Sequence, residues 1–317
     1  MSEAPHETLV RRLLDGDRAA LARVLTLIDR RPTDATRIDA LLAGRTGRAG
    51  TIGITGAPGA GKSTLVGSML KSAVQRNERV AVLALDPKSP FTQGAVLGDR
   101  LRMEHTTADE RVFVRSMTAE TRAGGLALAT PFAIRALDAA GWPWVIIETV
   151  GVGQTEFDVV EAAATTVVVM TPGTGDEVQS VKAGLMEMAD VFVLNKADRD
   201  GASAARLDIE RAVHHLPADA WRPPVVETVA SEDRGTDAVW DAITRHRQHL
   251  VESGEMVRRQ QRLLRLALHG LIDAELMQRT NALLAGDDFA RALPLLQSGD
   301  LDLASASHDL LARLLRA

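Results

Sequence analysis

The sequence predicts an α/β fold: a doubly wound, mainly parallel sheet, with N-terminal helices before it and a C-terminal helical arm after it. Two observations predict this fold. Between residue 51 and about residue 250, short apolar runs alternate with segments long enough to be helices. Most of these runs are continuously apolar, as expected for strands that are covered on both faces. Ligands of such folds bind at the carboxyl ends of the strands, where the motifs described below fall.

Residues 1–48 are predicted to form an N-terminal helical segment. Leu and Val side chains recur there at spacings of three and four, as in Leu9, Val10, Leu13 and Leu14. Pro32 and Thr33 interrupt this pattern, which resumes from Asp34 to Leu42. The glycine- and arginine-rich stretch 44–50 is then predicted to be a linker.

Residues 49–250 are predicted to hold the sheet. The predicted strands are 51–55, Val80–Leu85, Val112–Arg115, Trp144–Glu148, Thr166–Met170, Val191–Leu194 and Val225–Val229. From residue 251 to 317 the pattern becomes helical, with a Leu-rich stripe beside several arginines. Glycine and aspartate at 286–288 and 299–300 separate two further Leu-rich helices. The pattern leaves open whether this arm folds back on its own chain or makes a homodimer.

Composition narrows the possible partners. The 317 residues carry a net charge of −5, and aromatic residues make up 3%, so neither charge nor stacking favours nucleic acid. Cysteine is absent, which excludes disulfides, thiolate metal sites and cysteine nucleophiles and suits a reducing compartment. The first twenty residues lack the apolar core of a signal peptide, and no apolar run is long enough to span a membrane. We therefore expect a cytoplasmic protein without a nucleic-acid or membrane partner.

A glycine-rich loop lies between the first predicted strand and a predicted helix. Its residues are Gly56, Ala57, Pro58, Gly59, Ala60, Gly61, Lys62, Ser63 and Thr64. Glycines let successive backbone N–H groups turn toward phosphate oxygens, and the helix N-terminus adds further donors. The lysine supplies a positive charge to the β- and γ-phosphates, and the Ser63 hydroxyl is the expected Mg²⁺ ligand. This P-loop predicts a nucleoside triphosphate site.

The tetrapeptide Asn195-Lys196-Ala197-Asp198 ends another predicted strand and indicates which base is bound. The Asp198 carboxylate only accepts hydrogen bonds, and guanine offers N1–H and an exocyclic amine as donors on one edge. Adenine presents an acceptor at N1 and would be rejected. We expect Lys196 to lie along the base and Asn195 to tie this loop to the P-loop. Together the two motifs predict GTP rather than ATP.

Three acidic residues are candidates to surround a metal ion. Glu148 ends a predicted strand in the sequence Glu-Thr-Val-Gly, Asp86 directly follows another strand, and Asp99 lies in Leu-Gly-Asp-Arg. A carboxylate at a strand end can hold a Mg²⁺-bound water, and the Gly151 N–H can contact the γ-phosphate. Mg²⁺ usually takes one or two protein carboxylates, so the three need not all bind directly.

These motifs, together with E-T-V-G-V-G-Q at 148–154 and P-G-T-G-D-E-V-Q at 172–179, resemble the methylmalonyl-CoA mutase-associated GTPase family (MeaB/ArgK). Members are P-loop GTPases of the SIMIBI class. The resemblance implies a homodimeric GTPase, slow alone, that acts as a chaperone for an adenosylcobalamin-dependent acyl-CoA mutase. It implies that GTP hydrolysis gates cofactor loading and that the chaperone protects or reactivates the mutase.

The resemblance also assigns roles to individual residues. It implies that Lys62 and Glu148 take part in hydrolysis, and that the metal lies among Ser63, Asp86, Asp99 and Glu148. The base would be closed over by Val229, Ala230 and Ser231. The segment 172–184 would signal to the mutase, and Lys182 within it is a candidate for a partner-dependent contribution to hydrolysis. An ordinary solvated lysine is the alternative reading of Lys182.

The sequence departs from the family pattern at 88–94 and 116–125. These stretches lie outside the P-loop, so they leave nucleotide binding untouched and bear on which mutase is the partner. We therefore hypothesise a mutase other than the methylmalonyl enzyme, acting on a branched or hydroxylated acyl-CoA. A nickel-insertion GTPase is one alternative, disfavoured by the missing cysteines and the scattered eight histidines. An ATP-driven transport kinase is disfavoured by Asp198. A non-catalytic, nucleotide-gated binding module stays open, and partner-stimulated hydrolysis would distinguish it.

Overall fold

The structure is a computed structural model, and it describes residues 4–87, 109–119, 129–149, 155–173, 188–214 and 221–314. Two of the predicted site residues, Asp99 and Lys182, lie outside these ranges, as do Gly151 and the stretches 88–94 and 120–125. The segment 172–184 is described only at its first two residues.

Within the described residues, seven strands form one parallel sheet with the order β3-β2-β4-β1-β5-β6-β7. Their bounds are β1 Gly50–Gly56, β2 Val80–Pro87, β3 Val112–Ala119, β4 Trp144–Thr149, β5 Thr165–Met170, β6 Val191–Asn195 and β7 Val225–Thr228. Each predicted strand coincides with one of them to within a few residues. The predicted α/β fold with a parallel sheet is confirmed.

Eleven α-helices surround or follow the sheet in the described part of the chain. They are α1 Ala4–Leu14, α2 Arg18–Arg30, α3 Pro32–Leu42, α4 Lys62–Gln75, α5 Ala129–Ala139, α6 Thr155–Ala162, α7 Ala202–His214, α8 Thr236–Glu252, α9 Glu255–Leu284, α10 Asp287–Ser298 and α11 Leu303–Leu314. The predicted C-terminal helices are confirmed as α9, α10 and α11. No helix of the described residues is both long enough and apolar enough to cross a bilayer.

Successive strand residues point to opposite faces of the sheet. The strands are apolar at successive positions, so both faces are apolar, and helices cover both. On β5, Val167 and Val169 pack in one core cluster with residues of α4 and α8, including Leu65 and Trp240. Their neighbours Val168 and Met170 pack in a second cluster with Ile209 of α7. The continuously apolar strands of the sequence are therefore buried on both sides, which is the origin of the pattern that predicted them.

The N-terminal segment differs from its predicted outline at one turn. The apolar spacing on both sides of residues 15–17 predicts one helical run as far as Pro32, but α1 ends at Leu14 and α2 begins at Arg18. Gly16 adopts a φ of +88°, and the Asp17 carboxylate caps α2 by accepting from the N–H groups of Ala19 and Ala20. Apolar spacing hides this break because α1 and α2 both contribute to the same small core.

Contacts divide the chain into two compact units, residues 1–264 and 265–317. In the first unit, α2 and α3 pack against α5, and the Asp138 carboxylate of α5 accepts hydrogen bonds from the N–H groups of Gly47, Arg48 and Ala49. That carboxylate fixes the linker before β1. In the second unit, α10 packs against α11. The sequence boundaries at residues 48 and 250 remain predictions.

Candidate nucleotide-binding site

The P-loop lies between β1 and α4, and glycine is required at two of its positions. Gly56 has a φ of +138°, and a Cβ there would overlap the backbone carbonyl of Val169. Gly61 has a φ of +89°, and its Cβ would lie 2.5 Å from Nδ2 of Asn195. Both positions therefore combine a left-handed backbone with a close neighbour, which only a residue without a side chain tolerates. The loop can bend back over the helix N-terminus for this reason.

Lys62 is the first residue of α4, and its side chain turns inward rather than to solvent. The ammonium group donates to the Gly56 carbonyl at 2.6 Å and to the Ala57 carbonyl at 3.3 Å, and the residue is only 8% exposed. A fixed positive charge therefore stands at the N-terminus of a helix, where backbone N–H groups and the helix dipole already favour an anion.

Ser63 contacts the acidic residue that ends β4. Its hydroxyl donates to Oε1 of Glu148 at 2.6 Å, and Glu148 is 1% exposed. The strand register explains this contact, because Ile54 of β1 pairs with Glu148 just before the P-loop begins. Hydroxyl and carboxylate oxygens are the hard donors that Mg²⁺ prefers, so these two residues fit the predicted metal ion.

The other predicted metal ligands are less fully described. Asp86 lies near the end of β2, one residue beyond Leu85, which pairs with Thr149 of β4. Its backbone is thus at the same edge of the sheet as Glu148. No group of three or more His, Asp or Glu side chains capable of holding a metal occurs among the described residues. Mg²⁺ bound to a nucleotide needs fewer protein ligands than that.

Asn195, the last residue of β6, connects the P-loop to the segment after β7. Its Nδ2 donates to the Ala60 carbonyl at 2.8 Å, which is the predicted tie to the P-loop. Its Oδ1 accepts from the Thr228 hydroxyl and from the Ala230 N–H, both at 3.1 Å. Asn195 is 2% exposed, and one buried amide thereby joins three segments of the chain.

Lys196 and Asp198 extend this connection toward the surface. Lys196 has a φ of +58°, and its ammonium group donates to the Gly59 carbonyl at 2.7 Å. The N–H of the next residue, Ala197, donates to the Thr228 carbonyl at 3.0 Å. Asp198 follows as an exposed residue of the same turn.

The predicted base-closing residues lie in a compact turn, residues 229–235, which we call the base loop. Ala230–Glu232 form a 3-10 helix, and Val229 pairs with Arg234 in an isolated bridge. Val229 and Ala230 are buried, whereas Ser231 is exposed. The turn is therefore anchored by its first two residues and presents its third.

Thr228 is a site residue that sequence reasoning missed. Its hydroxyl holds Oδ1 of Asn195, and the β6–β7 register pairs these two residues directly. Within the sequence, Thr228 is simply one residue of the predicted strand Val225–Val229. Its contribution depends on which strand lies beside β7, and no local pattern contains that information.

The P-loop, the buried Glu148 carboxylate and the turn 229–235 therefore meet at the carboxyl edge of one parallel sheet. These features define a P-loop GTPase, a class of proteins that binds guanine nucleotides. Residues 21–284 match the family described as methylmalonyl Co-A mutase-associated GTPase MeaB, and the chain belongs to that family.

Three similar proteins support this assignment. A protein of Pyrococcus abyssi is 41% identical over 98% of this chain and 97% of its own length. GTPase ArgK of Escherichia coli is 36% identical over 92% of this chain and 90% of its own. A crystal structure of LAO/AO transport system kinase is 29% identical, covers 100% of this chain and 99% of its own, and has a TM-score of 0.69.

Proposed function

We propose that this chain is a GTP-binding and GTP-hydrolysing chaperone of an adenosylcobalamin-dependent acyl-CoA mutase. It gates the loading of the mutase cofactor, and it protects or reactivates the mutase. Its family is described by its association with methylmalonyl-CoA mutase. A mouse relative named methylmalonic aciduria type A homolog, mitochondrial, is 31% identical over 84% of this chain and 69% of its own length. The proposal for the nucleotide depends on one observation, the Asn195 amide that joins the P-loop to the base loop.

The phosphate side of the proposal assigns binding to the P-loop, Gly56–Thr64. Its N–H groups and the Lys62 ammonium would bind the β- and γ-phosphates and stabilise the charge that develops when water attacks the γ-phosphate in line. Mg²⁺, held by Ser63 and Glu148 with Asp86 and Asp99 as further candidates, would neutralise phosphate charge. Lys182 is proposed as a partner-dependent contributor to hydrolysis.

The base side of the proposal assigns recognition of guanine to Asp198. Its exposed carboxylate would accept from N1–H and the exocyclic amine. Lys196, fixed by the Gly59 carbonyl, would lie along the ring. The base would be closed over by Val229, Ala230 and Ser231.

The proposal includes a homodimer of this chain. Large apolar side chains are exposed along one side of α9 at a spacing of four: Leu268 is 60% exposed, Ile272 58% and Leu276 44%. An exposed apolar stripe of this kind on a long helix is typical of a protein interface. A second copy of the same helix would cover it, as a symmetric dimer requires.

Calorimetric titration of the purified chain tests the nucleotide assignment. We expect binding of GTP and GDP in the presence of Mg²⁺ and much weaker binding of ATP. Asp198→Asn exchanges one acceptor oxygen for a donor, so it should lose GTP and gain xanthosine triphosphate, which carries a carbonyl where guanine carries its amine. Equal binding of ATP and GTP by the unmodified chain would contradict the assignment.

Hydrolysis measured with candidate partners tests the chaperone assignment. GTP turnover should be slow alone and should rise when a cognate adenosylcobalamin-dependent mutase is added. The methylmalonyl enzyme and mutases of branched or hydroxylated acyl-CoA substrates are compared at equal concentrations. The strongest stimulation identifies the partner, and stimulation by none of them would favour a non-catalytic binding module.

A further inference from the structure

A second set of contacts joins α4, and Arg76 directly after it, to Asp233 of the base loop and to the start of α8. Side-chain contacts connect these segments, and we call the following set the α4–α8 seam. They are Ser68 with Thr236 at 2.6 Å, Trp240 Nε1 with the Met69 carbonyl at 2.9 Å, Lys71 with Asp233 at 2.8 Å, Ser72 with Asp237 at 2.5 Å, Arg76 with the Asp237 carbonyl at 2.9 Å and Arg76 with Asp241 at 2.8 Å.

The inner contacts of the seam are buried, and the outer ones are exposed. Ser68 and Thr236 are each 2% exposed and share a hydroxyl–hydroxyl hydrogen bond. Hydrogen bonds are stronger in such a low-dielectric setting, and an unpaired buried hydroxyl is unfavourable. The Lys71–Asp233 pair is about half exposed, so it contributes little. The Ser68–Thr236 contact is therefore the one that burial strengthens most, and Ser72, itself 6% exposed, adds a partly buried contact with the exposed Asp237.

The base loop is attached to the seam by a short, tightly turned connection. Asp233 ends the 3-10 helix with a φ of +54°, and Gly235 directly before α8 has a φ of +83°. A Cβ on Gly235 would overlap the Glu227 carbonyl, so this turn has little room to relax. The 3-10 helix also packs against α4 itself. A displacement of the α8 N-terminus must therefore displace the base loop.

We infer that Ser68, Ser72 and Thr236 are positioning residues for guanine: through the α4–α8 seam they hold the base loop at a fixed place above the P-loop and so slow nucleotide release. This inference rests on the proposed guanine site. α4 begins in the P-loop, and α8 begins directly after the base loop. The seam between the two helices therefore holds the two halves of the proposed site together. Asn195 links the P-loop to the base loop directly, and the seam links them indirectly through α4 and α8.

The test compares a ligand that uses both halves of the site with one that uses only the phosphate half. Release of a fluorescent GDP analogue and binding of inorganic tripolyphosphate are measured for Thr236→Val, Ser72→Ala and the double variant. Loss of two hydrogen bonds of ordinary net strength should accelerate GDP release about tenfold in the double variant. Tripolyphosphate affinity should stay within about twofold, because the P-loop is unchanged.

Thr236→Ser keeps the hydroxyl and should release GDP at the unmodified rate. Thr26→Val removes a hydroxyl of α2 that donates to the Ala22 carbonyl and accepts from Arg115, and it serves as the control for a simple loss of stability. If Thr236→Val does not fold, Asp237→Asn weakens the Ser72 contact at an exposed position. Unchanged GDP release, or an equal loss of GDP and tripolyphosphate, overturns the inference. Failure of the unmodified chain to bind GDP would instead overturn the guanine site itself.

Discussion

The Ser63 hydroxyl donates a hydrogen bond to the Glu148 carboxylate at 2.6 Å, which joins the first turn of α4 to the end of β4. Both residues are candidate Mg²⁺ ligands. They are far apart in the sequence, and the pairing of β1 with β4 brings them together. The sheet thus holds together the two oxygen donors that we propose for Mg²⁺.

Removing the Ser63 hydroxyl should weaken the dependence of GTP binding on Mg²⁺. Ser63→Ala deletes one oxygen donor and one partner of Glu148, and we expect about tenfold weaker GTP binding with Mg²⁺ present. Binding in EDTA should change little. Ser63→Thr retains the hydroxyl and is the matched control. An identical Mg²⁺ response in the alanine and threonine variants would argue against a metal ligand at this position.

Gly61→Ala should impair both folding and nucleotide binding. Alanine would have to adopt the left-handed backbone of Gly61, and its Cβ would lie 2.5 Å from Asn195 Nδ2. We therefore expect the free energy of unfolding to fall by about 1–3 kcal/mol. Gly67→Ala is the control, because Gly67 lies within α4 and has open space around it. That change should stabilise by about 0.5–1 kcal/mol. Urea unfolding compares the two, and similar effects at both positions would contradict this reading of the P-loop.

Asn195→Asp should loosen the link between the P-loop and the base loop. A carboxylate oxygen would replace the Nδ2 donor and face the Ala60 carbonyl, so an attraction at 2.8 Å becomes a repulsion. We expect about 1–3 kcal/mol lower stability and weaker GDP binding. Asn281→Asp makes the same change at an exposed position of α9. Thermal unfolding and calorimetry measure both effects, and a variant with unmodified GDP affinity would remove Asn195 from its proposed role.

A buried ion pair on the opposite edge of the sheet predicts a pH dependence. Burial would raise the pKa of the Asp190 carboxyl, but hydrogen bonds and positive charge from His246 and Arg259 together hold that pKa below its usual 3.8. Arg259 donates to both carboxylate oxygens, at 2.6 and 2.7 Å. A carboxyl with a lowered folded-state pKa stabilises the protein above its unfolded pKa, and this contribution is lost as the pH falls through the folded value.

Asp190→Asn should therefore destabilise the protein at neutral pH, by about 3 kcal/mol because a buried pair is broken. The difference from the unmodified chain should shrink as the pH falls below about 5. Asp309→Asn, at an exposed position of α11, should show no such difference. Urea unfolding across this pH range gives the measurement. A difference that grows below about pH 5 would show that the Asp190 pKa is raised and not lowered.

The sequence by itself determined the strands, the P-loop and the candidate base-reading motif. Each is a local property: a strand buried on both faces must be apolar throughout, and a left-handed turn beside a carbonyl must be glycine. The break at Gly16 was missed because two helices of one small core share the same apolar spacing. That spacing reports burial and carries no information on where a helix ends.

Only the tertiary structure decided which distant residues meet. The contacts of Ser63 with Glu148, of Asn195 with Thr228, and of Ser68 with Thr236 each depend on strand order or helix packing. A hydrogen bond needs two particular atoms within about 3 Å, and a shift of one residue in register turns a side chain to the other face. Composition and spacing constrain what each residue can do, and the packing of the whole chain fixes its partner.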